Sequence, residues 1–463
     1  MTVAEYDVVV IGAGPAGENV AGRVADGGLS TAIVERELVG GECSYWGCIP
    51  SKTLLRPGDV IASARRVPGA AEAVIGEISP SAAFAQRDYM TSNWTDDGQL
   101  PWLHDKGVDL HRGVARLDGP RAVVVDTSDG QLRLTARRAV VLATGTSAAM
   151  PPIEGLADAR PWDNRTITEA STVPRRLLVL GGGTIGAEMA QAYRRLGATE
   201  VTVLEGADRL IAREEPFAGE EVREAFEAEG IRVLTGVTVT AVHRDGDGSV
   251  TASTSDGGRC AGDEILVAVG RRPRTADLGL DSVGLTPGRY VEVDDRLRAA
   301  GVDGGWLYAV GDCNGRALLT HMGKYQARIA GDVILDRPAR DEASSAVVPR
   351  VTFTDPQVCA VGLTEEQARE RYANVRVVRV DTGSVAGAYT RGKGIGGTSQ
   401  LVVDDDRRVM VGATFTGPDV QELLHSASIA VAAAVPLDRL WHAVPPFPTI
   451  SEVWLRLLEE YGL

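Results

Sequence analysis

The sequence predicts an α/β chain built from two glycine-loop βαβ units and a C-terminal α+β module. Three observations carry that prediction. A strand, glycine turn, helix, second strand and closing acid succeed one another near the N-terminus. The same succession recurs near residue 180. From about Val348 the texture changes to separate strands and helices.

The first unit starts with the apolar run Asp7 to Ile11 and turns through Gly12-Ala13-Gly14-Pro15-Ala16-Gly17. It continues as a helix to about Asp26, and its second strand, Thr31 to Val34, ends at Glu35. Gly12, Gly14 and Gly17 lack side chains, so a pyrophosphate can approach the backbone, and the helix N-terminus stabilises its charge. An acid about 20 residues beyond such a turn accepts hydrogen bonds from a ribose. Ala122 to Ala136 alternates apolar and polar residues around Ser128-Asp129-Gly130 and predicts a hairpin. Val140 to Ala143 predicts a further strand, running into Thr144-Gly145, and Pro151-Pro152 marks a boundary. The second unit reads Leu177 to Leu180, then Gly181-Gly182-Gly183-Thr184-Ile185-Gly186, a helix over Glu188 to Leu196, and a strand Val201 to Leu204 ending at Glu205. One such loop is a weak signal; two complete units predict two bound dinucleotides. In the C-terminal module, Val348 to Phe353, Val375 to Val380 and Val409 to Phe415 predict strands. Thr364 to Tyr372 and Asp419 to Val435 predict helices.

Composition narrows the partners. The 463 residues suggest about three domains. Lys and Arg number 48 against 63 Asp and Glu, a net charge of −15, which argues against nucleic acid or an anionic membrane. The longest Ala/Val-rich run, Ile429 to Val435, is too short to span a bilayer, and the N-terminal segment lacks the pattern of a secretory signal. Cytoplasmic location is the expectation.

Chemistry concentrates in Gly40 to Lys52, where Cys43 and Cys48 have four residues between them just after the first nucleotide loop. The pair begins a helical segment, whose dipole and free N–H groups stabilise a thiolate. A dithiol beside a nucleotide loop points to electron transfer. Two structural cysteines or half of a metal site are the alternatives, but no second Cys pair or His cluster completes a site. Cys260, Cys313 and Cys359 are scattered.

In order and content these motifs resemble the class I flavin-dependent pyridine nucleotide–disulfide oxidoreductases, the family of glutathione reductase, lipoamide dehydrogenase and mercuric reductase. The resemblance implies two Rossmann-like domains, for FAD and NAD(P), and a C-terminal α+β dimerisation domain. It divides the chain into 1–150 (FAD, first part), 151–275 (NAD(P)), 276–345 (FAD, second part) and 346–463 (dimerisation). It also implies a homodimer. Leu307 to Asp312 matches a second FAD signature, with Asp312 on the ribityl chain; Thr144 and Gly145 match a third element near FAD, and Thr320 lies in a segment approaching the flavin. Cys48 is then the charge-transfer thiol, Cys43 the interchange thiol, and Lys52 approaches the flavin N5 paired with Glu188. Hydride passes from NAD(P)H to FAD, and electrons then pass to the Cys43–Cys48 disulfide. The turn Gly181, Gly183, Gly186 takes NADH in preference to NADPH, because Glu205 repels a 2′-phosphate. Gly270-Arg271-Arg272-Pro273 resembles a Gly-Arg-x-Pro element joining the NAD domain to FAD, with Gly270 and Arg272 as cofactor contacts and Arg274 where Asn is usual.

Two departures bear on the substrate. Tyr45 and Trp46 stand where relatives carry small or aliphatic residues and an Asn, and either reshape the substrate side or pack inside. The family's C-terminal His-Pro-x-x-x-Glu element, given by the partner subunit, reads Pro446-Phe447-Pro448-Thr449-Ile450-Ser451-Glu452 here. Glu452 keeps its place, but Phe447 cannot carry a proton, and removing a general acid costs about 10²–10⁴ in rate. The expectation is an atypical small-molecule acceptor: a quinone, a metal species, or another substrate needing no enzymic acid. Ketopropyl-coenzyme M carboxylase, which resembles this chain in carrying Phe there, marks another option. A disulfide reductase drawing its proton from His442, His321 or water is the alternative.

Overall fold

The computed structural model describes residues 2–463, which form two compact units. The first comprises residues 2–50, Arg87–Ala149 and Gly270–Ser345; the second comprises Ser51–Gln86, Met150–Val269 and Ala346–Leu463.

The first unit is built on a seven-stranded sheet. Strands Val108–Arg112, Thr31–Glu35, Thr2–Ile11 and Gly130–Leu142 run parallel side by side. Leu307–Ala309 adds in parallel to the end of Gly130–Leu142. Ala122–Thr127 and Val114–Leu117 continue the sheet antiparallel. Val8, Val9 and Val10 are wholly buried, with helices Pro15–Asp26 and Thr320–Ile334 supplying much of the packing on one face. Such strands read as unbroken apolar runs because both faces are covered. Two boundaries differ from the sequence expectation. The first strand begins at Thr2 because Thr2 to Tyr6 pair with Leu132 to Ala136. The predicted hairpin arm and the strand after it are one continuous strand, Gly130–Leu142, which exchanges its antiparallel partner for a parallel one along its length.

The second unit contains a parallel four-stranded sheet in the order Ile231–Leu234, Glu200–Leu204, Arg176–Leu180, Glu264–Val267. Helix Thr184–Arg195 packs on it through Met189, Ala190 and Tyr193. The C-terminal module is a five-stranded antiparallel sheet with helices Gln421–Ala432 and Val453–Tyr461 against it. Two of its strands, Gln357–Gly362 and Thr398–Asp404, carry no sequence prediction; most of their residues are buried, so little polar–apolar alternation reports them. Helix Glu365–Arg371 starts at a capping box: Gln367 N–H donates to Thr364, and Thr364 N–H donates to the Gln367 side chain. The α/β architecture with two glycine-loop βαβ units and a C-terminal α+β module is therefore the one the sequence predicts.

Candidate active site

The two glycine loops are built alike. Gly12 has φ +101°, and a Cβ there would strike the Ala143 carbonyl; a Cβ on Gly17 would overlap the Gly12 carbonyl. Gly181 (φ +105°) and Gly186 repeat this against Ala268 and Gly181. Gly14 and Gly183 behave differently. A Cβ on Gly183 would meet nothing within 4 Å and one on Gly14 only the Gly41 Cα at 4.0 Å, so both face open space at a helix start. The acids match as well. Glu35 Oε2 accepts from Ala13 N–H (2.7 Å) and Oε1 from Glu37 N–H (2.8 Å). Glu205 Oε2 accepts from Gly182 N–H and Oε1 from Ala207 N–H (2.7 Å). Each carboxylate is thus fixed at its strand end by backbone donors.

Beside the first loop, Thr144 Oγ1 is buried without a hydrogen-bond partner. An orphaned hydroxyl beside an open glycine cradle fits a bound dinucleotide. Gly145 (φ +67°) accepts Arg274 N–H at 3.0 Å. Asp312 follows strand Leu307–Ala309; Thr146 Oγ1 donates to it at 2.8 Å and Arg271 Nε lies 4.0 Å away. Burial nonetheless raises its carboxyl above the ordinary range. Gly270 N–H and carbonyl lie at the start of strand Arg271–Pro273, whose partner is Thr146–Ala148. Arg272 is exposed, with Nε 3.3 Å from Ser147 Oγ. Arg271 takes the inward place, donating to Thr146 Oγ1 (2.6 Å) and to its carbonyl (3.0 Å). Sequence reasoning passed over Arg271, although it is the Arg of the Gly-Arg-x-Pro pattern.

The cysteines sit at helix starts. Cys43 lies in the short helix Gly41–Tyr45, and Cys48 opens Cys48–Arg66. Both are free thiols; Cys48 Sγ is 3.4 Å from Thr320 Oγ1, at the first residue of Thr320–Ile334. The Cys43 thiol hydrogen-bonds to Cys48, and this, with burial, pushes its pKa far up while Thr320 pulls against it. Tyr45 and Trp46 pack inside: Tyr45 is 3% exposed, its hydroxyl donates to the Val39 carbonyl at 3.0 Å, and the two rings lie 5.7 Å apart. Among the described residues no group of three or more His, Cys, Asp or Glu is placed to hold a metal ion, and no helix is long and apolar enough to cross a membrane.

In the second unit, Lys52 lies one helical turn past Cys48 in sequence. Its Nζ is 2.6 Å from Glu188 Oε2 and 4.9 Å from the Phe353 ring centre. Glu188, 2% exposed, also accepts from Phe353 N–H at 3.0 Å. Phe447 is 77% exposed, and Glu452 Oε2 accepts from Gly387 N–H at 3.1 Å. His442 and His321 are both exposed.

Comparison with known proteins gives a consistent result. The family model for pyridine nucleotide-disulphide oxidoreductases matches residues 6–327, and the model for that family's dimerisation domain matches 348–457. A dihydrolipoyl dehydrogenase from Rhizobium etli is 31% identical over 99% of this chain and 98% of its own. A mercuric reductase from Lysinibacillus sphaericus is 30% identical over 96% of this chain and 81% of its own. Among solved structures, the Cu(II) complex of the HOCl-induced flavoprotein disulfide reductase RclA from Escherichia coli superposes with a TM-score of 0.85 at 26% identity, covering 98% of this chain and 99% of that one.

Proposed function

This chain belongs to the pyridine nucleotide-disulphide oxidoreductases, and from that premise we propose that it moves electrons from NADH through the Cys43–Cys48 pair to a metal-ion acceptor. As a family member it is an NAD(P)H-dependent flavoprotein oxidoreductase with a dimerisation domain. On this reading segments 1–150 and 276–345 serve FAD, 151–275 serves NAD(P) and 346–463 serves dimerisation.

Gly12, Gly14 and Gly17 with the following helix start would hold the FAD pyrophosphate, Glu35 a ribose, and Asp312, Thr144, Gly145 and Thr320 the remainder, with Gly270 and Arg272 on the connection. FAD, when bound, supplies the two-electron relay between nicotinamide and disulfide. Gly181, Gly183 and Gly186 take the second nucleotide. Glu205 favours NADH because its carboxylate is held by two backbone donors where a 2′-phosphate would need a cation. Arg209 does not offset it, since its guanidinium is turned to Asp208 and the Ala212 carbonyl. Lys52 is held by Glu188 and the Phe353 ring. Cys48 is the inner sulfur beside Thr320, and Cys43 is the interchange sulfur.

The observation that carries the acceptor is Phe447. Reducing a disulfide with NADH consumes a proton from the medium and places two on the product thiols, so an acid at position 447 matters. Reducing a metal ion places none: NADH and two Cu(II) give NAD⁺, H⁺ and two Cu(I). A phenyl ring at 447, and a Glu452 carboxylate engaged by the Gly387 N–H, suit the second stoichiometry. The names of the mercuric reductase and of the Cu(II)-bound RclA structure point the same way.

The test is Phe447→His, assayed with NADH against Cu(II), Hg(II), a soluble quinone and lipoamide. The expected result is a rise in lipoamide turnover of about 10²-fold with metal-ion turnover unchanged within about twofold. Fast lipoamide turnover by the unsubstituted protein would overturn the reading in favour of a disulfide reductase with another proton source.

A further inference from the structure

Three consecutive residues, Ser92, Asn93 and Trp94, hold φ angles of +53°, +51° and +54°. None is glycine. Left-handed backbone is disfavoured for a residue with a Cβ, so such a turn persists only where its surroundings impose it. Trp94 N–H donates to the Thr91 carbonyl at 2.9 Å, and Thr95 N–H donates to the Ser92 carbonyl at 3.1 Å. The Arg87 guanidinium, on a side chain 2% exposed, lies 5.2 Å from the Trp94 ring centre. The turn grips one residue of the segment between the cysteines. Trp94 Nε1–H donates to the Tyr45 carbonyl at 3.2 Å, and the Tyr45 hydroxyl is shared between the Thr95 carbonyl (3.2 Å) and the Val39 carbonyl (3.0 Å). The Asp96 carboxylate accepts from Val39 N–H at 2.7 Å. Beyond the Tyr45 carbonyl the chain turns back on itself. Trp46 N–H donates to the Glu42 carbonyl at 2.8 Å, and a Cβ on Gly47 would come 3.4 Å from the Cys43 Cα. That return brings Cys48 to Cys43, whose thiol hydrogen-bonds to it. A tie on the Tyr45 carbonyl therefore acts on the stretch of backbone that decides whether the two sulfurs meet.

We infer that the left-handed turn Ser92 to Trp94 is a clamp on the Cys43–Cys48 loop, holding the two sulfurs together in the dithiol and so favouring closure of the disulfide. The inference rests on the reading of these cysteines as a redox pair. Trp94 and Tyr45 are positioning residues that act through the loop backbone. A disulfide restrains its own loop, whereas the dithiol depends on other ties. The chain entropy lost on closure is smaller where a clamp has already removed it. Closure with oxidised dithiothreitol converts Cys43–SH and Cys48–SH to the Cys43–Cys48 disulfide and yields reduced dithiothreitol. Two S–H bonds break, one S–S bond forms, and two electrons and two protons pass to the reagent.

Trp94→Phe keeps a ring for Arg87 and removes the N–H; Tyr45→Phe removes the hydroxyl. Each is expected to shift the dithiothreitol equilibrium toward dithiol by about three- to tenfold, the worth of one hydrogen bond. Tenfold is about 30 mV for a two-electron couple. Asn93→Gly keeps the turn, since glycine adopts positive φ freely, and should stay within about twofold of the parent. The readout is alkylation of the full-length protein after equilibration with fixed ratios of reduced to oxidised dithiothreitol at pH 8, with each cysteine peptide followed by mass spectrometry. Cys260, Cys313 and Cys359 are buried and do not compete. Urea unfolding of the same variants separates the clamp from simple support of the fold, which lowers stability and leaves the equilibrium where it was. Tyr45→Phe carries the same test if Trp94→Phe does not fold. An equilibrium unmoved by Trp94→Phe, or moved toward disulfide, overturns the inference while leaving the redox pair standing. Failure of the parent protein to form a Cys43–Cys48 disulfide overturns both.

Discussion

At the scale of single residues, function turns on which side chains carry a charge or a proton. Phe447 carries neither, and Glu452, five residues on, has its carboxylate engaged by the Gly387 N–H. Glu205 carries one, fixed by the N–H groups of Gly182 and Ala207. Glu205→Arg should reverse the nucleotide preference, lowering kcat/KM for NADH relative to NADPH by about 10- to 100-fold, the value of one or two charge-assisted hydrogen bonds to phosphate. A ratio that still favours NADH would show that the rest of the loop decides the nucleotide. Cys43, Cys48, Asp312 and Glu205 are proposed from the sequence because each follows a local motif. Trp94 against Tyr45 was not legible there, since the partners are 49 residues apart and only the fold brings them together. Tyr45 and Trp46 were undecided in the sequence for a related reason: an aromatic beside a reactive cysteine looks the same whether it lines a site or fills a core.

At the scale of elements, helix starts do most of the positioning, and they also bury acids. Glu18 lies in the first turn of Pro15–Asp26. Burial raises its pKa from 4.5 to about 7, with the Glu35 charge adding to the rise and Lys324 opposing it. In the unfolded chain Glu18 ionises near 4.5, so between pH 4.5 and 7 the folded state holds a proton the unfolded state has lost. Stability from this group is complete below pH 4.5 and declines as pH rises toward 7, by up to about 3 kcal/mol. Glu18→Gln should flatten that part of the curve of unfolding free energy against pH in urea titrations. An unchanged slope would place the charge elsewhere. The start of Cys48–Arg66 supplies a second case. Lys52→Met would leave the buried Glu188 with only the Phe353 N–H, at a cost of about 3 kcal/mol measured by urea unfolding. A loss below about 1 kcal/mol would mean that water reaches the carboxylate. Glycine turns and the strands behind them were readable one element at a time, because their geometry is local. Strand ends were not. Thr2 to Tyr6 becomes strand only because Leu132 to Ala136 offers a partner, and Gln357–Gly362 and Thr398–Asp404 are strands most of whose residues are buried, without clear alternation.

At the scale of the whole molecule, the matches over 6–327 and 348–457 make the chain a flavoprotein oxidoreductase of the pyridine nucleotide-disulphide family, and the proposal gives it a metal-ion acceptor. The net charge of −15 suits that account, because a negative field concentrates cations at the surface and repels anionic acceptors. The fold class and the family followed from the order of motifs along the chain. The acceptor did not, because one substituted ring identifies what a site cannot do and leaves its substrate to the remaining chemistry. The most direct measurement reduces the protein anaerobically with NADH, mixes it with Cu(II) or with lipoamide, and follows the return of Cys43 and Cys48 to the disulfide by rapid thiol trapping. The account predicts that Cu(II) reoxidises the pair at least about 10²-fold faster than lipoamide, with release of H⁺. Equal rates, or faster reoxidation by lipoamide, would contradict it.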